Sequence, residues 1–358
     1  MIQSLVIENF RGISRLSVGS LAKFNIFLGR NGVGKTTILE SFSIAGCGGN
    51  PSAVLATCRR RDLPLPSAQS DIAFRSLFRE GKLDLAPTFR FQVDNRDAEI
   101  TIRPKFDYTS ETGMLEQPPG EADVTEDAQV VGLITTYRHG VGASTRIDAQ
   151  ISRNPSSPKG TLELLAKSKV RSVPNAFTIQ ARQATSVAET AGTLGRLFQR
   201  GKEDDFLDFV RIICPGVVAI NSSVHGGNTV ISIKTKEGTR LLNEMGDGFC
   251  RLALIATGIL GGRCKIIVID EIDSGLHRSV MPDVWRALRR MAAHQPFQLI
   301  ASTHNEDMLE TAKEAFAEAP ADLAVYRLDE PVHGQHSIVR YDYDLLHDSI
   351  AAGFDPRG

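Results

Sequence analysis

Cysteine is scarce in this chain. Cys47, Cys58, Cys214, Cys250 and Cys264 are scattered through 358 residues without a single C-x-x-C pair. That pattern excludes a disulfide framework and a cysteine zinc site, and it matches a reducing compartment. Long apolar runs are missing too: none approaches the ~18 residues that a bilayer-crossing helix needs. The opening stretch, Met1 to Phe10, alternates apolar and polar residues like a strand. It has neither the basic start nor the apolar core of a secretory leader. A cytoplasmic protein is expected. Charge of one sign is also lacking, since 41 Lys+Arg face 42 Asp+Glu for a formal net charge of −1. Neither a basic nucleic-acid coat nor an acidic tail dominates globally. There is no internal repeat and no heptad run long enough for a coiled-coil arm. What is present, 42% hydrophobic and 23% charged residues, builds a globular core. The length allows two domains or one large fold with an insertion.

The first chemistry-bearing motif is Gly29-Arg30-Asn31-Gly32-Val33-Gly34-Lys35-Thr36, a complete G-x-x-x-x-G-K-[ST] string. An apolar strand, Phe24 to Leu28, precedes it, and a helical pattern from Thr36 to Ala45 follows. Glycines let the loop curl so that its N–H groups face a pyrophosphate. Lys35 supplies a point charge to the outer phosphates, and the Thr36 hydroxyl is placed to ligate Mg²⁺. The helix dipole adds to the anion's stabilisation. The loop residues Arg30, Asn31, Gly32, Val33, Gly34, Lys35 and Thr36, with Thr37, are the candidate nucleotide-binding set.

The second motif is Ile266-Ile267-Val268-Ile269-Asp270-Glu271, an aliphatic strand ending in two carboxylates. Asp270 is the candidate Mg²⁺ ligand. Glu271, one residue on, is placed to orient or deprotonate the attacking water. Lys35 and Asp270 lie 235 residues apart, so a large insertion divides the strands of one site. No Asn-Lys-x-Asp guanine motif occurs, which favours ATP. The closing part alternates helix and strand: Gly248–Ile259, Lys265–Asp270, Val280–Ala293, Phe297–Ser302, Glu306–Phe316 and Ala324–Leu328. That rhythm predicts βαβ units on a largely parallel sheet. Strand pairs are predicted at Thr88–Val93 with Glu99–Ile102 and at Val217–Ile220 with Thr229–Ile233, and one helical stretch from Val187 to Ile213.

Further segments carry a family resemblance. Glu8-Asn9-Phe10-Arg11-Gly12-Ile13, Asn243-Glu244-Met245-Gly246-Asp247-Gly248-Phe249-Cys250-Arg251-Leu252, Asp270-Glu271-Ile272-Asp273-Ser274-Gly275-Leu276-His277 and Ala301-Ser302-Thr303-His304-Asn305 resemble, in order, four elements of one family. These are the opening strand-turn, signature, Walker B plus D-loop, and switch-histidine motifs of the ABC-class ATPase heads in the SMC/RecF/OLD superfamily. More narrowly, the chain resembles the standalone prokaryotic AAA-type ATPases related to OLD nucleases. The resemblance implies a P-loop α/β fold, with an antiparallel β lobe, a RecA-like parallel-sheet lobe and a helical insertion. Residues 1–110 and 216–358 would fold together as the ATPase, with 111–215 inserted.

The same resemblance implies a homodimer, or a higher homo-oligomer, closed on ATP and Mg²⁺. Each nucleotide would lie between the Walker A loop of one protomer and Gly246 and Gly248 of the other. His304 would reach the γ-phosphate and Glu271, and Arg11 would contact a phosphate. Asp247 departs from the serine common in such signatures, though aspartate suits a helix start. Asp273 would bridge the dimer interface. A Q-loop glutamine is expected after the Walker A helix, and Gln69 is the only glutamine before the first strand pair. Too little chain follows His304 for a TOPRIM nuclease domain, so the resemblance points to a separate effector, as in anti-phage defence operons. The alternative is a RecF-like DNA-binding ATPase of repair. An acidic stretch from Glu111 to Asp127 precedes a basic one from Arg138 to Arg182. The basic stretch is where non-specific contact with nucleic acid is expected.

Overall fold

The computed structural model describes residues 1–61, 63, 71–106, 130–140, 147–153, 162–166, 175–181, 187–225, 228–332 and 335–351. In chain order the N-terminal part forms β1 (Ile2–Phe10), β2 (Ile13–Val18), β3 (Phe24–Leu28), α1 (Lys35–Gly46), α2 (Pro51–Arg59) and α3 (Ile72–Arg75). Strands β4 (Thr88–Val93), β5 (Arg96–Phe106), β6 (Val130–His139), β7 (Ile147–Arg153), β8 (Leu162–Ala166) and β9 (Asn175–Ile179) follow. Then come α4 (Val187–Phe198), α5 (Glu203–Val210), β10 (Val217–His225), β11 (Asn228–Thr235) and β12 (Gly238–Leu241). The chain continues through α6 (Asp247–Leu260), β13 (Cys264–Ile269), α7 (Met281–His294), β14 (Gln298–Ser302), α8 (Glu306–Ala315), β15 (Leu323–Leu328), β16 (Ile338–Tyr341) and α9 (Tyr343–Ala351). Two compact units result. One comprises Met1–Leu21, Arg30–Pro174 and Leu328–Val339; the other comprises Ala22–Gly29, Asn175–Arg327 and Arg340–Gly358.

The first unit is built on an antiparallel sheet of order β2-β1-β4-β5-β6-β7-β8. Leu5 and Ile7 of β1 point into its core, as the period of two requires, and Phe10 is buried after Asn9 in the left-handed region (φ 54°) breaks the alternation. Phe10 meets Phe89 of β4 edge-to-face at 5.1 Å. The β4–β5 hairpin turns at Asp94 and Asn95, both in the left-handed region (φ 49° and 61°), which matches the right-handed twist of the strands it joins. Helix α1 packs on β1 and β4 of this sheet and on α2. The side chain of Asn50 caps α2 by accepting from the Ser52 N–H, with Pro51 at the first helical position.

The second unit holds a six-stranded sheet of order β16-β15-β3-β14-β13-β9. Strands β15, β3, β14, β13 and β9 run parallel. Ile26, Phe27, Leu28, Ile266, Ile267, Val268, Ile269, Leu299 and Ile300 are fully buried. This explains why β3, β13 and β14 read as continuous apolar runs rather than alternations. Buried Asn25 is satisfied by bonds from its amide to the Ala22 and Leu299 carbonyls and by the Ala22 N–H. The antiparallel β10-β11-β12 sheet belongs to this unit as well. Among the described residues no helix is long and apolar enough to cross a membrane.

Among the described residues between 111 and 215, strands accompany the helices expected there. Strands β6, β7 and β8 extend the first unit's sheet beyond β5, and β9 joins the parallel sheet beside β13. Leu133, Thr135 and Tyr137 alternate inward along β6, a period that counting charges does not register. The helical stretch from Val187 is two helices, α4 and α5, interrupted by Gly201 in the left-handed region (φ 67°). Arg138 lies on β6, 3.7 Å from Glu99. The acidic stretch Glu111–Asp127, Gln69 and the basic residues Arg146, Lys159, Lys167, Lys169, Arg171 and Arg182 lie outside the described residues.

Candidate functional site

In the first unit, the phosphate loop runs from Arg30 into α1. Gly34 caps that helix in the left-handed region (φ 106°), with no side-chain cap on the helix and no acid in its first turn. The positive end of the helix dipole, with no side-chain oxygen capping it, favours an anion at this position. Lys35 is buried and its ammonium donates to the Arg30 carbonyl at 2.8 Å. The charge thus sits folded over the loop. Val33 is buried, while Arg30, Asn31 and Gly32 are exposed.

Arg11 follows β1 in the left-handed region (φ 53°) and its guanidinium turns into the protein. Its Nε lies 2.8 Å from a Glu40 carboxylate oxygen, and it donates to the Ser76 carbonyl and to Thr57. Glu40 is 3% exposed and accepts a second, forked contact from Arg61 at 2.9 and 3.0 Å. Arg61 also donates to the hydroxyl of Thr37. Burial pulls the Arg11 guanidinium below its ordinary pKa, and Glu40 opposes that pull. The structure therefore engages Arg11 and Thr37 in a buried charge cluster around α1. The sequence reading missed this cluster. Its one signal was the run Arg59-Arg60-Arg61 at the end of α2, too far from Glu40 in sequence to suggest a pair.

In the second unit, β13 delivers Asp270 and Glu271 at its carboxyl end. The same edge of the sheet ends β3, from which the phosphate loop continues, and β14, which ends at Ser302. Asp270 donates its N–H to the Ile179 carbonyl of β9. The Ser302 hydroxyl, fully buried, donates to the Asp270 carboxylate at 2.6 Å and accepts the Glu271 N–H at 2.8 Å. Glu271 sits in the left-handed region (φ 52°), a costly conformation for a non-glycine residue unless its surroundings over-determine it. Arg251 of α6 supplies the other half of that constraint. It is 7% exposed, and its guanidinium donates to the carbonyls of Gln180, Asp270 and Glu271. Burial lowers the Arg251 pKa, against the opposing pull of Asp270, Glu271 and Asp273. Both backbone polar groups of Glu271 are thereby fixed, and neither Ser302 nor Arg251 was singled out by sequence.

Asp273 is buried and accepts from the Thr303 hydroxyl at 2.5 Å. It ties the D-loop to the strand end instead of standing free on the surface. The Thr303 hydroxyl accepts the Asn305 N–H, and Asn305 caps α8 by accepting from the Asp307 N–H. His304, between them, is exposed.

Gly246 caps α6 in the left-handed region (φ 81°), with open space beside its Cα and no side-chain cap on the helix. Gly248 has the opposite surroundings. A Cβ there would fall 2.2 Å from the Gly275 carbonyl oxygen, and one on Gly275 would fall 2.8 Å from the Gly248 nitrogen. The signature helix and the D-loop touch backbone to backbone, which explains a glycine at both positions. Gly248→Ala is expected to destabilise the protein by about 1–3 kcal/mol through overpacking, measured by denaturant unfolding. An unchanged midpoint would show that this contact is loose.

Two family models match the chain. One, described as "AAA domain", covers residues 4–161. The other, described as "AAA domain, putative AbiEii toxin, Type IV TA system", covers residues 168–309. Among solved structures, the fold is similar to an Smc head bound to the C-winged helix domain of ScpA. The TM-score is 0.51 with 12% identity, over 95% of this chain and 97% of that one. It is also similar to an Smc head with an extended coiled coil, bound to the C-terminal domain of ScpA, from Pyrococcus furiosus. There the TM-score is 0.50 with 11% identity, over 98% and 99% of the two chains. No curated protein matches the chain. The protein has the fold of an SMC-type ABC ATPase head, and its phosphate loop and its Asp270–Glu271 strand each lie within a stretch that an AAA-domain family matches.

Proposed function

We propose that the protein is an ATP-hydrolysing switch that dimerises on nucleotide and controls a separate effector, in prokaryotic anti-phage defence. The observation that carries hydrolysis is the fixing of Glu271: its N–H is held by Ser302 and its C=O by Arg251, so the carboxylate is presented from a rigid base. The phosphate-loop amides hold the polyphosphate, and Lys35 leaves the Arg30 carbonyl to bond its outer oxygens. Glu271 orients the attacking water and takes its proton, with His304 reaching the γ-phosphate. Thr36 and Asp270 would hold Mg²⁺, which neutralises phosphate charge when bound. Among the described residues no group of three or more His, Cys, Asp or Glu could hold a metal. A single carboxylate plus a hydroxyl suits an ion that keeps waters and shares phosphate oxygens. The open N-terminus of α6 at Gly246 would receive the γ-phosphate of the nucleotide held by a partner protomer. The defence setting rests on the toxin–antitoxin description of the family matched at 168–309, and a separate effector on the resemblance in sequence.

Three measurements test this reading. The wild-type chain is expected to release phosphate from ATP and to double in mass by light scattering with a non-hydrolysable ATP analogue. A persistent monomer at saturating analogue would sink the dimeric switch. Lys35→Ala is expected to weaken ATP binding about 10–100-fold, the value of one charge-assisted contact, and unaltered affinity would remove the phosphate-loop assignment. Cells carrying the gene with its chromosomal neighbour should resist phage, and should lose that resistance with Lys35→Ala.

A further inference from the structure

The loop joining β15 to β16 lies in the first unit together with the phosphate loop, and two contacts connect them. At one end of the phosphate loop, Arg30 pairs with Glu330 at 3.3 Å. At the other, the space over Gly34 is filled by His336. A Cβ on Gly34 would lie 3.6 Å from the imidazole Nε2 and 3.7 Å from its Cδ2, ordinary packing distances. The loop is itself clamped. The Asp329 N–H donates to the Ser337 carbonyl, the Ser337 hydroxyl donates to the Asp329 carboxylate, and the backbones of Val332 and Gln335 bond reciprocally. A closed hairpin tip can brace a neighbour in a way a free loop cannot.

We propose that His336 is a positioning residue for the phosphate site, its ring holding the phosphate loop at Gly34 in the curled shape that receives a polyphosphate. The proposal rests on the nucleotide-binding reading of that loop. Gly34 occupies a left-handed conformation (φ 106°) next to the helix start. Its carbonyl accepts the Ile38 N–H of α1, but it has no side chain to pack on the loop side, and the imidazole supplies that contact from outside. Burial, with Arg79 acting in the same direction, holds the ring below its usual pKa. Its surroundings favour the uncharged ring, which acts by shape rather than as a phosphate-binding cation. Its Nδ1 is buried without a hydrogen-bond partner, which also fits a ring retained for packing.

The test uses the full chain and isothermal titration with ATP and, separately, with inorganic pyrophosphate. His336→Ala should weaken both by about tenfold, because both ligands depend on the loop's shape. His336→Phe should restore binding of both to within about twofold of wild type, since the ring returns without its nitrogens. The thermal midpoint of each variant confirms that it folds. Pyrophosphate affinity unchanged in His336→Ala would overturn the proposal. So would a loss confined to ATP, which would place the ring at the nucleoside instead, or a failure of His336→Phe to rescue. Lys35→Ala run alongside separates the two layers. If that variant still binds ATP as wild type does, the nucleotide reading itself fails. If it loses ATP while His336→Ala does not, only the brace fails.

Discussion

Glu271→Gln should bind ATP with unchanged affinity and hydrolyse it about 10²–10⁴-fold more slowly, the usual contribution of a positioned general base. Glutamine keeps the size and the backbone bonds to Ser302 and from Arg251; it removes only the ability to accept a proton. The substitution therefore isolates chemistry from fold. Its consequence for assembly follows directly: if hydrolysis reopens a nucleotide-closed dimer, the variant should remain dimeric in ordinary ATP, under conditions where wild type returns to monomer. Phosphate release and size-exclusion chromatography read the two effects separately. Turnover within a few-fold of wild type would show that some other group activates the water.

Arg251→Met should cost about 3 kcal/mol of stability and slow hydrolysis as well. Methionine refills much of the volume but removes the guanidinium that bonds the carbonyls of Gln180, Asp270 and Glu271, and a lost hydrogen bond to a charged donor costs about 1.5–3 kcal/mol, not fully additively. Glu271 would also lose one of the bonds that hold it in the left-handed region, keeping those to Ser302 and from the Ser274 N–H. Relaxation toward ordinary backbone angles would re-aim its side chain. Arg251→Lys should recover part of the stability and less of the rate, because a compact ammonium cannot span three carbonyls as a planar fork does. Denaturant unfolding and phosphate release on the folded variants measure both, and wild-type stability in Arg251→Met would sink the argument.

Local signals in the sequence are mirrored closely by the fold. The phosphate loop, the aliphatic run of β13, the β4–β5 and β10–β11 hairpins and the alternating helices and strands after α6 were all readable, because glycine spacing, period and continuous apolar runs are short-range. What the reading lacked was everything set by distant partners. Strands β6 to β9 lie among the charged stretches of this region, and the excess of basic residues drew the reading away from the short strands between them. Arg11, which looked like a phosphate contact beside its motif, is drawn inward by Glu40 and Thr57. Ser302 stood inside the histidine motif as a neighbour of interest only for His304, and its hydroxyl bridges the two carboxylate residues of another strand. Gly248 was expected to face a phosphate, and its lack of a side chain is explained instead by Gly275.

The strand that leads into the phosphate loop has a consequence for how the protein is made. Phe24 of β3 pairs with Leu299 on one side and Leu323 on the other, so this early segment has no ladder partner until nearly the whole chain has been synthesised. The β1, β2, β4 and β5 strands, by contrast, can pair as soon as they emerge. A nascent chain therefore carries Phe24-Asn25-Ile26-Phe27-Leu28 as an unpaired apolar ribbon through most of translation, the kind of segment that slows folding and recruits chaperones. Strand β3 therefore takes its place only once β14 and β15 are available to pair with it.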